Sequence, residues 1–479
     1  MNSRKPSLVW FRKNLRMEDN RVLAAALVRG TPLIPVFIWD NSSAIGRASQ
    51  WWLRRTLQSF QKEFSARGAC LILRKGDPLE VLKVLVRETK ADAIFWDRAY
   101  EPVQRKQDDR IRAAFNRQKV ICHSISDALL FDPATIRTKQ GTPFKVFTAF
   151  WNHCSSLTEP LEPVRMSKKW PLPSRLPRNE SLDDLTGTEH EWTKKLERFW
   201  KPGSQGANRV WKRFLKEELN HYIHSRDKPA MEGTSRISPH LHFGEISVRR
   251  IWKDVRQSMA RYREPGFLKE AEAFLRQIVW REFAYYLLFY FPETVDQPLR
   301  KEFSGFAWRN DKSEIQSWQE GMTGYPIVDA GMRELWATGW MHNRVRMIVA
   351  SFLVKDLLQS WQKGAHWFWD TLVDADLANN TFGWQWTAGC GADAAPYFRI
   401  FNPVLQGEKF DPDGIYVRRW VPEIYGLPNR YIHKPWQAPE EVLLKASVNL
   451  GKKYPLPIVD HDAARKRALF AFDRFKRRR

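Results

Sequence analysis

The chain of 479 residues carries 78 Lys and Arg against 54 Asp and Glu, a formal charge of +24, with 43% hydrophobic residues. That apolar content supports sizeable cores and excludes wholesale disorder; at roughly 150 residues per domain the length allows two large domains or three. Cys70, Cys122, Cys154 and Cys390 lie far apart without a CxxC, which argues against a disulfide scaffold, a zinc ribbon or an iron–sulfur cluster.

No apolar run reaches the roughly 18 residues of a spanning helix, and the charged start MNSRKPSLVWFRKNLR is unlike a secretory leader. The expectation is a soluble cytoplasmic protein. Its surplus of positive charge suits a polyanionic partner, because a basic surface gains by releasing counterions from phosphates. A well-solvated surface is the blander alternative. The 23 Trp against 12 Tyr leave core packing, base stacking and electron transfer all open.

In chain order, short β-rich runs come first: Leu8 to Phe11, Leu33 to Trp39, Cys70 to Leu73, Ala93 to Trp96 and Val120 to Ser124. Helical patterns lie between them at Trp52 to Phe64, Pro78 to Arg87 and Pro102 to Phe115. This alternation predicts an α/β domain over residues 1–135, a doubly wound parallel sheet. No GxGxxG follows the first strand, so a dinucleotide in the usual Rossmann position is not supported. Pro160, Pro163, Pro171, Pro173 and Pro177 mark residues 136–200 as an interdomain connector. Residues 201–479 then read as a larger all-α domain. Its long helical patterns are Leu268 to Phe291 and Met332 to Leu358, and the basic tail Arg465 to Arg479 reads as a short amphipathic helix or a frayed end.

Within these helices Gln277, Trp280, Arg281 and Ala284 share one face. That stripe suits a flat, polar-edged ligand, or equally a helix seam with a snorkelling Arg. Asn343 and Met347 share another face, beside Arg346, with Asp374 and Asp376 downstream. A buried Arg with a carboxylate partner could clamp a cofactor. The paired aspartates could bind Mg²⁺, or simply cap a turn, the commoner outcome. His240 and His242 form an HxH without a third ligand nearby, which favours structural histidines over zinc; no metal is expected. The Gly389-Cys-Gly391 turn is weak evidence of anything but a loop. GxSxG, HExxH and Walker A motifs are absent, so hydrolase and NTPase chemistry lacks support.

Taken together, several long segments resemble the DNA photolyase/cryptochrome family. They are Trp10-Phe-Arg-Lys-Asn-Leu-Arg16 with Glu18-Asp-Asn20, Glu232-Gly-Thr-Ser-Arg-Ile-Ser-Pro239 with His-Leu-His-Phe-Gly-Glu245, Trp280-Arg-Glu-Phe283, Gly339-Trp-Met-His-Asn-Arg344, Asp374 to Asn380 and Gly383-Trp-Gln-Trp386. Tyr325 to Trp336 and Phe368 to Leu372 look most like bacterial photolyases near the plant-cryptochrome branch. The sequence departs from the family pattern at Asn14, where Asp is usual, and at Gln277, where Glu is usual.

The resemblance implies an N-terminal antenna domain and a C-terminal helical domain that binds FAD. Tyr222, Thr234, Ser235, Arg236, Ile237 and Ser238 would hold the flavin phosphates, since hydroxyls and backbone N–H groups suit an anion. Arg346 would pair with Asp374 beside the flavin ring, Asp376 would hold the adenosine end or ring edge, Asn343 would lie over the ring and Asn380 near N5. Gln277 and Arg281 would also touch the cofactor. Trp384, Trp361 and Trp308 would relay electrons to the surface.

UV-damaged DNA would lie against Arg226, Gln277, Trp280, Arg344, Met347 and Trp386, with Trp280 and Trp386 walling a flipped-out dimer. Photolyases for (6-4) lesions carry histidines where Asn343 and Met347 stand, so cyclobutane pyrimidine dimers are the expected substrate and the enzyme a deoxyribodipyrimidine photo-lyase. A second, antenna chromophore is expected, folate or deazaflavin; Arg105 stands where folate-binding photolyases often carry Glu. The chain is expected to act as a monomer. The alternatives are a flavin blue-light photoreceptor of cryptochrome type and a basic nucleic-acid-binding protein that has lost its cofactor.

Overall fold

The computed structural model describes residues 4–40, 45–157, 159–167, 170–186, 189–397 and 399–477. It divides into two compact units, Met1–Asn220 with Ser235–Pro292, and His221–Thr234 with Glu293–Arg479.

The first unit is built on a five-stranded parallel sheet in the order β3-β2-β1-β4-β5. The strands are β1 (Ser7–Phe11), β2 (Leu33–Trp39), β3 (Ile72–Lys75), β4 (Ala93–Asp97) and β5 (Ile121–Ile125). β1 is central because Ser7 pairs with Leu33 on one side and Ala93 on the other. Its run of buried residues is unbroken, as a strand covered on both faces requires. The crossovers are the helices Arg21–Val28, Arg47–Ser65, Pro78–Thr89 and Pro102–Arg117. Asn20 caps the first through the Leu23 N–H, and Asp77 caps the third directly ahead of Pro78.

β3 begins two residues later than its apolar run suggests, because Ile72 is the residue that pairs with Val36. This edge strand is covered by the stretch read as a connector. The Leu73 N–H donates to Asn179 Oδ1 at 2.7 Å and the Glu180 N–H to Leu73 O at 3.1 Å. Leu33 N–H likewise donates to Pro171 O at 2.8 Å. A sheet edge is thereby closed to foreign strands. The compact unit around the sheet also takes in Ser235–Pro292, beyond residue 135. A buried ion pair fastens that segment: Asp127, which also accepts from Arg16 at 2.5 Å, accepts from Arg249 at 2.6 Å.

The second unit is helical, with one apolar core running from Phe303 to Ala468. The single helix expected over Met332 to Leu358 is corrected here to two helices, Pro326–Thr338 and Asn343–Ser351, with a π-turn at Phe352–Asp356. Gly339 ends the first in the left-handed region at φ 68°, and His342 caps the second through the Arg344 N–H. The apolar period continues across the break, which is why periodicity alone misses it. The tail forms the helix His461–Arg477, with Phe472 stacked on Tyr397 at 4.5 Å; Arg478 and Arg479 lie outside the described residues.

Candidate functional site

The sequence-predicted site residues fall in both units. In the first, Gln277, Trp280 and Arg281 sit on the helix Pro265–Tyr290 and are half-buried. Gln277 makes one long bond, Nε2 to Ala273 O at 3.5 Å. Trp280 stacks on Phe147, with centroids 3.5 Å apart and planes 8° off parallel. Arg281 turns to the backbone, donating to Ala128 O at 3.1 Å. Its neighbour Glu282 is fully buried and accepts the N–H groups of Leu130 and Phe131 at 2.9 and 3.2 Å. Burial pushes the Glu282 carboxyl up to about 7.

Also in this unit, the Ile237 N–H lies 3.5 Å from Ser235 Oγ, and Arg236 adopts φ 49°. That turn brings hydroxyls and N–H groups close together ahead of the short helix that Ser238 begins. His240 of the HxH pair bonds Glu245 and both histidines are buried, the structural outcome of that motif.

In the second unit the helices Asn343–Ser351 and Leu377–Ala388 carry Asn343, Arg344, Arg346, Met347, Asn380, Trp384 and Trp386. Arg346 Nη2 reaches both oxygens of Asp374, at 3.1 and 2.9 Å, and its Nε donates to Met341 O at 2.8 Å. The guanidinium is thus fixed from two sides, and Asp374 is buried. Asp376 is the N-cap of the second helix, accepting from the Asn379 N–H at 2.9 Å; the capping alternative weighed in the sequence holds for this carboxylate. Asn380 Nδ2 donates to Ala365 O at 3.0 Å. Only an NH₂ group can face a carbonyl, so this bond fixes which way the amide points.

Asn343, at the start of its helix, is exposed, and Met347 one turn on is half-buried. Met347 Sδ lies 3.7 Å from Arg344 Nη1. Arg344 also pairs with Asp227 at 2.9 Å and lies over the Phe410 ring at 4.4 Å. Arg226 stands over the buried Tyr222 ring at 5.3 Å. Burial pushes the Tyr222 phenol up to about 12, so it keeps its proton at neutral pH. Thr234, in the same segment as Tyr222, is half-buried.

The three tryptophans expected as a relay grade from buried to partly buried. Trp384 and Trp361 are each 2% exposed and Trp308 is partly buried. Arg309 N–H donates to Leu358 O at 2.8 Å, which brings the chain at Trp308 beside the start of the Trp361 helix. Trp384 meets Phe368 edge-on at 5.0 Å and Trp318 at 6.2 Å. Two positions along, Trp386 is half-buried, on a different side of the helix from Trp384.

Sequence reasoning missed three residues that shape these groups: Phe147 beneath Trp280, Asp227 beside Arg344, and Gly364. A Cβ on Gly364 would fall 2.0 Å from the Trp384 ring. A glycine inside a helix is a signal of close approach, but it does not say to what.

The donor set suits a flavin. Within the second unit, a guanidinium held by a carboxylate and a carbonyl and an amide of fixed sense offer hydrogen bonds to a ring edge; within the first, a hydroxyl-rich turn offers them to phosphates.

Residues 7–168 match the family described as DNA photolyase, and residues 274–474 match the FAD binding domain of DNA photolyase. The chain is 46% identical to the deoxyribodipyrimidine photo-lyase of Agrobacterium fabrum, over 98% of both chains. It is 40% identical to Cryptochrome-1 of Arabidopsis thaliana, over 96% of this chain and 69% of that one. The crystal structure of a bacterial class III photolyase from Agrobacterium tumefaciens superposes with a TM-score of 0.95 at 46% identity, covering 99% of this chain and 98% of that one. With site chemistry, fold and full-length similarity in agreement, this chain belongs to the DNA photolyase/cryptochrome family.

Proposed function

We propose that this protein uses light to split cyclobutane pyrimidine dimers in DNA, the carbon–carbon lyase reaction of a deoxyribodipyrimidine photo-lyase, with FAD as cofactor. The observation that carries the reading is 46% identity to a protein of that name over 98% of both chains. When bound and reduced, FAD supplies the electron that light drives onto the dimer.

The chain's own residues do the rest. Arg346, held by Asp374, places a fixed positive charge where a flavin ring edge would carry negative charge. Asn380, its amide locked by Ala365 O, presents a neutral oxygen rather than a carboxylate toward the ring. Asn343 and Met347 offer an amide and a thioether where (6-4) enzymes carry histidine. Trp280 and Trp386 each offer an aromatic face suited to a flipped dimer, and a lesion costs less to flip because its pairing is already poor. Arg226, Arg344 and the wider +24 charge bind phosphates, so affinity for undamaged DNA falls steeply with salt. Trp384, Trp361 and Trp308 would carry electrons inward toward a bound flavin, with folate or deazaflavin as the second, antenna chromophore. The protein acts as a cytoplasmic monomer. Among the described residues no helix is long and apolar enough to cross a membrane.

The 40% identity to Cryptochrome-1 supports a second reading, a blue-light sensor. Asn380 and the retention of both Trp280 and Trp386 favour repair over it. The test is to illuminate purified protein with an oligonucleotide carrying one thymine dimer. Loss of the dimer in light and not in darkness supports the enzyme. Light-driven change in flavin absorbance with the dimer intact supports the sensor.

A further inference from the structure

Trp280 does not stand alone on its helix. Its ring lies flat on Phe147, 3.5 Å between centroids and 8° from parallel. Aromatic pairs ordinarily prefer an offset or edge-on arrangement with centroids about 4.5–7 Å apart, because two π-faces repel. A full overlap therefore needs a reason. Arg276 supplies one: its guanidinium lies 5.4 Å from the Phe147 ring and 5.1 Å from the Trp151 ring. A cation near the ring draws on its electron-rich face and weakens the repulsion.

The four side chains form two interleaved pairs. Phe147 and Trp151 are one turn apart on the helix Phe147–Ser156, and Arg276 and Trp280 are one turn apart on Pro265–Tyr290. The fully buried Phe283 meets both stacked rings edge-on, at 5.9 Å from Phe147 and 6.0 Å from Trp280. Phe147 is 1% exposed while Trp280 is half-buried. One face of the indole is therefore set on a buried platform, with a second ring blocking its pivot.

We propose that Phe147 is a positioning residue for lesion recognition, holding the Trp280 plane in the orientation that a flipped dimer stacks against. The proposal rests on the reading of Trp280 as a wall of the lesion pocket. A wall already ordered before binding spares the complex the loss of one large side chain's freedom, a gain of roughly 3- to 10-fold in affinity for the lesion. Undamaged DNA, which presents no flipped base pair, does not draw on that gain. Phe147 thus acts on discrimination rather than on general affinity.

The experiment measures Kd for an oligonucleotide with one thymine dimer and for its undamaged twin, at one salt concentration. The proteins are wild type, Trp280→Ala, Phe147→Leu, Phe147→Tyr and the Trp280→Ala/Phe147→Leu double variant. Phe147→Leu is expected to lower the ratio of the two affinities roughly 3- to 10-fold through the lesion term. Phe147→Tyr, which keeps the ring, retains the ratio. In the Trp280→Ala background Phe147→Leu brings no further loss, because nothing remains to position.

Equal losses for both DNAs, or additive losses in the double variant, would overturn the proposal. If Trp280→Ala loses discrimination and Phe147→Leu keeps it, the pocket stands and this proposal alone falls. If Trp280→Ala keeps discrimination, the pocket reading falls and takes this one with it. Should Phe147→Leu fail to fold, Arg276→Gln at the half-exposed end of the array decides: a drop of about twofold supports the proposal, and an unchanged ratio overturns it.

Discussion

Gly364→Ala tests whether packing holds Trp384, the first tryptophan of the proposed relay, in place. Gly364 lies in the helix Trp361–Thr371, where alanine is ordinarily favoured over glycine by about 1 kcal/mol. Here a Cβ would stand 2.0, 2.4 and 2.5 Å from Cη2, Cζ3 and Cζ2 of Trp384, all far inside ordinary contact, which begins near 3.4 Å. Those are ring atoms of a rigid side chain that is 2% exposed, bounded by Phe368 at 5.0 Å and Trp318 at 6.2 Å. The ring must move by more than an ångström, and it has no flexible end to give. Overpacking of this kind costs about 1–3 kcal/mol. Such a displacement belongs at the upper end, so after the helix gain the variant should be about 2 kcal/mol less stable.

If Trp384 passes electrons to a bound flavin as proposed, displacing its ring would weaken that transfer. Flavin photoreduction with an external reductant should therefore slow, while repair by chemically pre-reduced protein should persist. The assays are thermal or urea unfolding beside the rate of flavin bleaching under blue light. A variant more stable by about 1 kcal/mol, the helix term alone, with unchanged photoreduction, would refute the packing argument.

Trp361→Phe keeps most of the buried volume but removes an oxidisable ring, so photoreduction of oxidised flavin should slow or stop while pre-reduced protein still repairs. A normal rate would place the relay elsewhere among the 23 tryptophans. Gln277→Glu puts a carboxylic acid where the amide makes only a 3.5 Å bond to Ala273 O. A proton donor facing a carbonyl that gains negative charge should raise repair yield per absorbed photon, measured on saturated, pre-reduced protein across a modest pH range. An equal or lower yield at every pH would show a site tuned around Gln.

Lys355 lies in the π-turn, buried, its Nζ 3.2 Å from Tyr397 O, and desolvation pulls its pKa down from 10.5 to about 7. The unfolded chain binds that proton up to the ordinary value. This group therefore costs stability at neutral pH, a cost that fades as pH rises from about 7 toward 10.5. Lys355→Met should raise the unfolding temperature more at pH 7 than at pH 9.5, and an equal gain at both would contradict the assignment.

The sequence by itself determined the elements whose residues carry their own instructions. β1 is legible because its short β-rich apolar run alternates with helical patterns, as a strand covered on both faces does, and the Asp77-Pro78 pair marks a helix start with its own cap. The resemblance to the family said which amides, carboxylates and tryptophans to look for; no local period or spacing did.

Tertiary structure decided the rest. Which residues of the third apolar run enter the ladder depended on the partner strand, since Ile72 pairs where Val36 stands. The break at Gly339 lay inside a continuous apolar period, because both helices bury the same kind of face in one core. That Pro171 and Asn179 of the connector lie along the sheet was decided by bonds to strands distant in the chain. The platform under Trp280 and the glycine beneath Trp384 were invisible for the same reason. A stack or a close approach between remote segments leaves no local period in the sequence, and only the folded chain brings its two halves together.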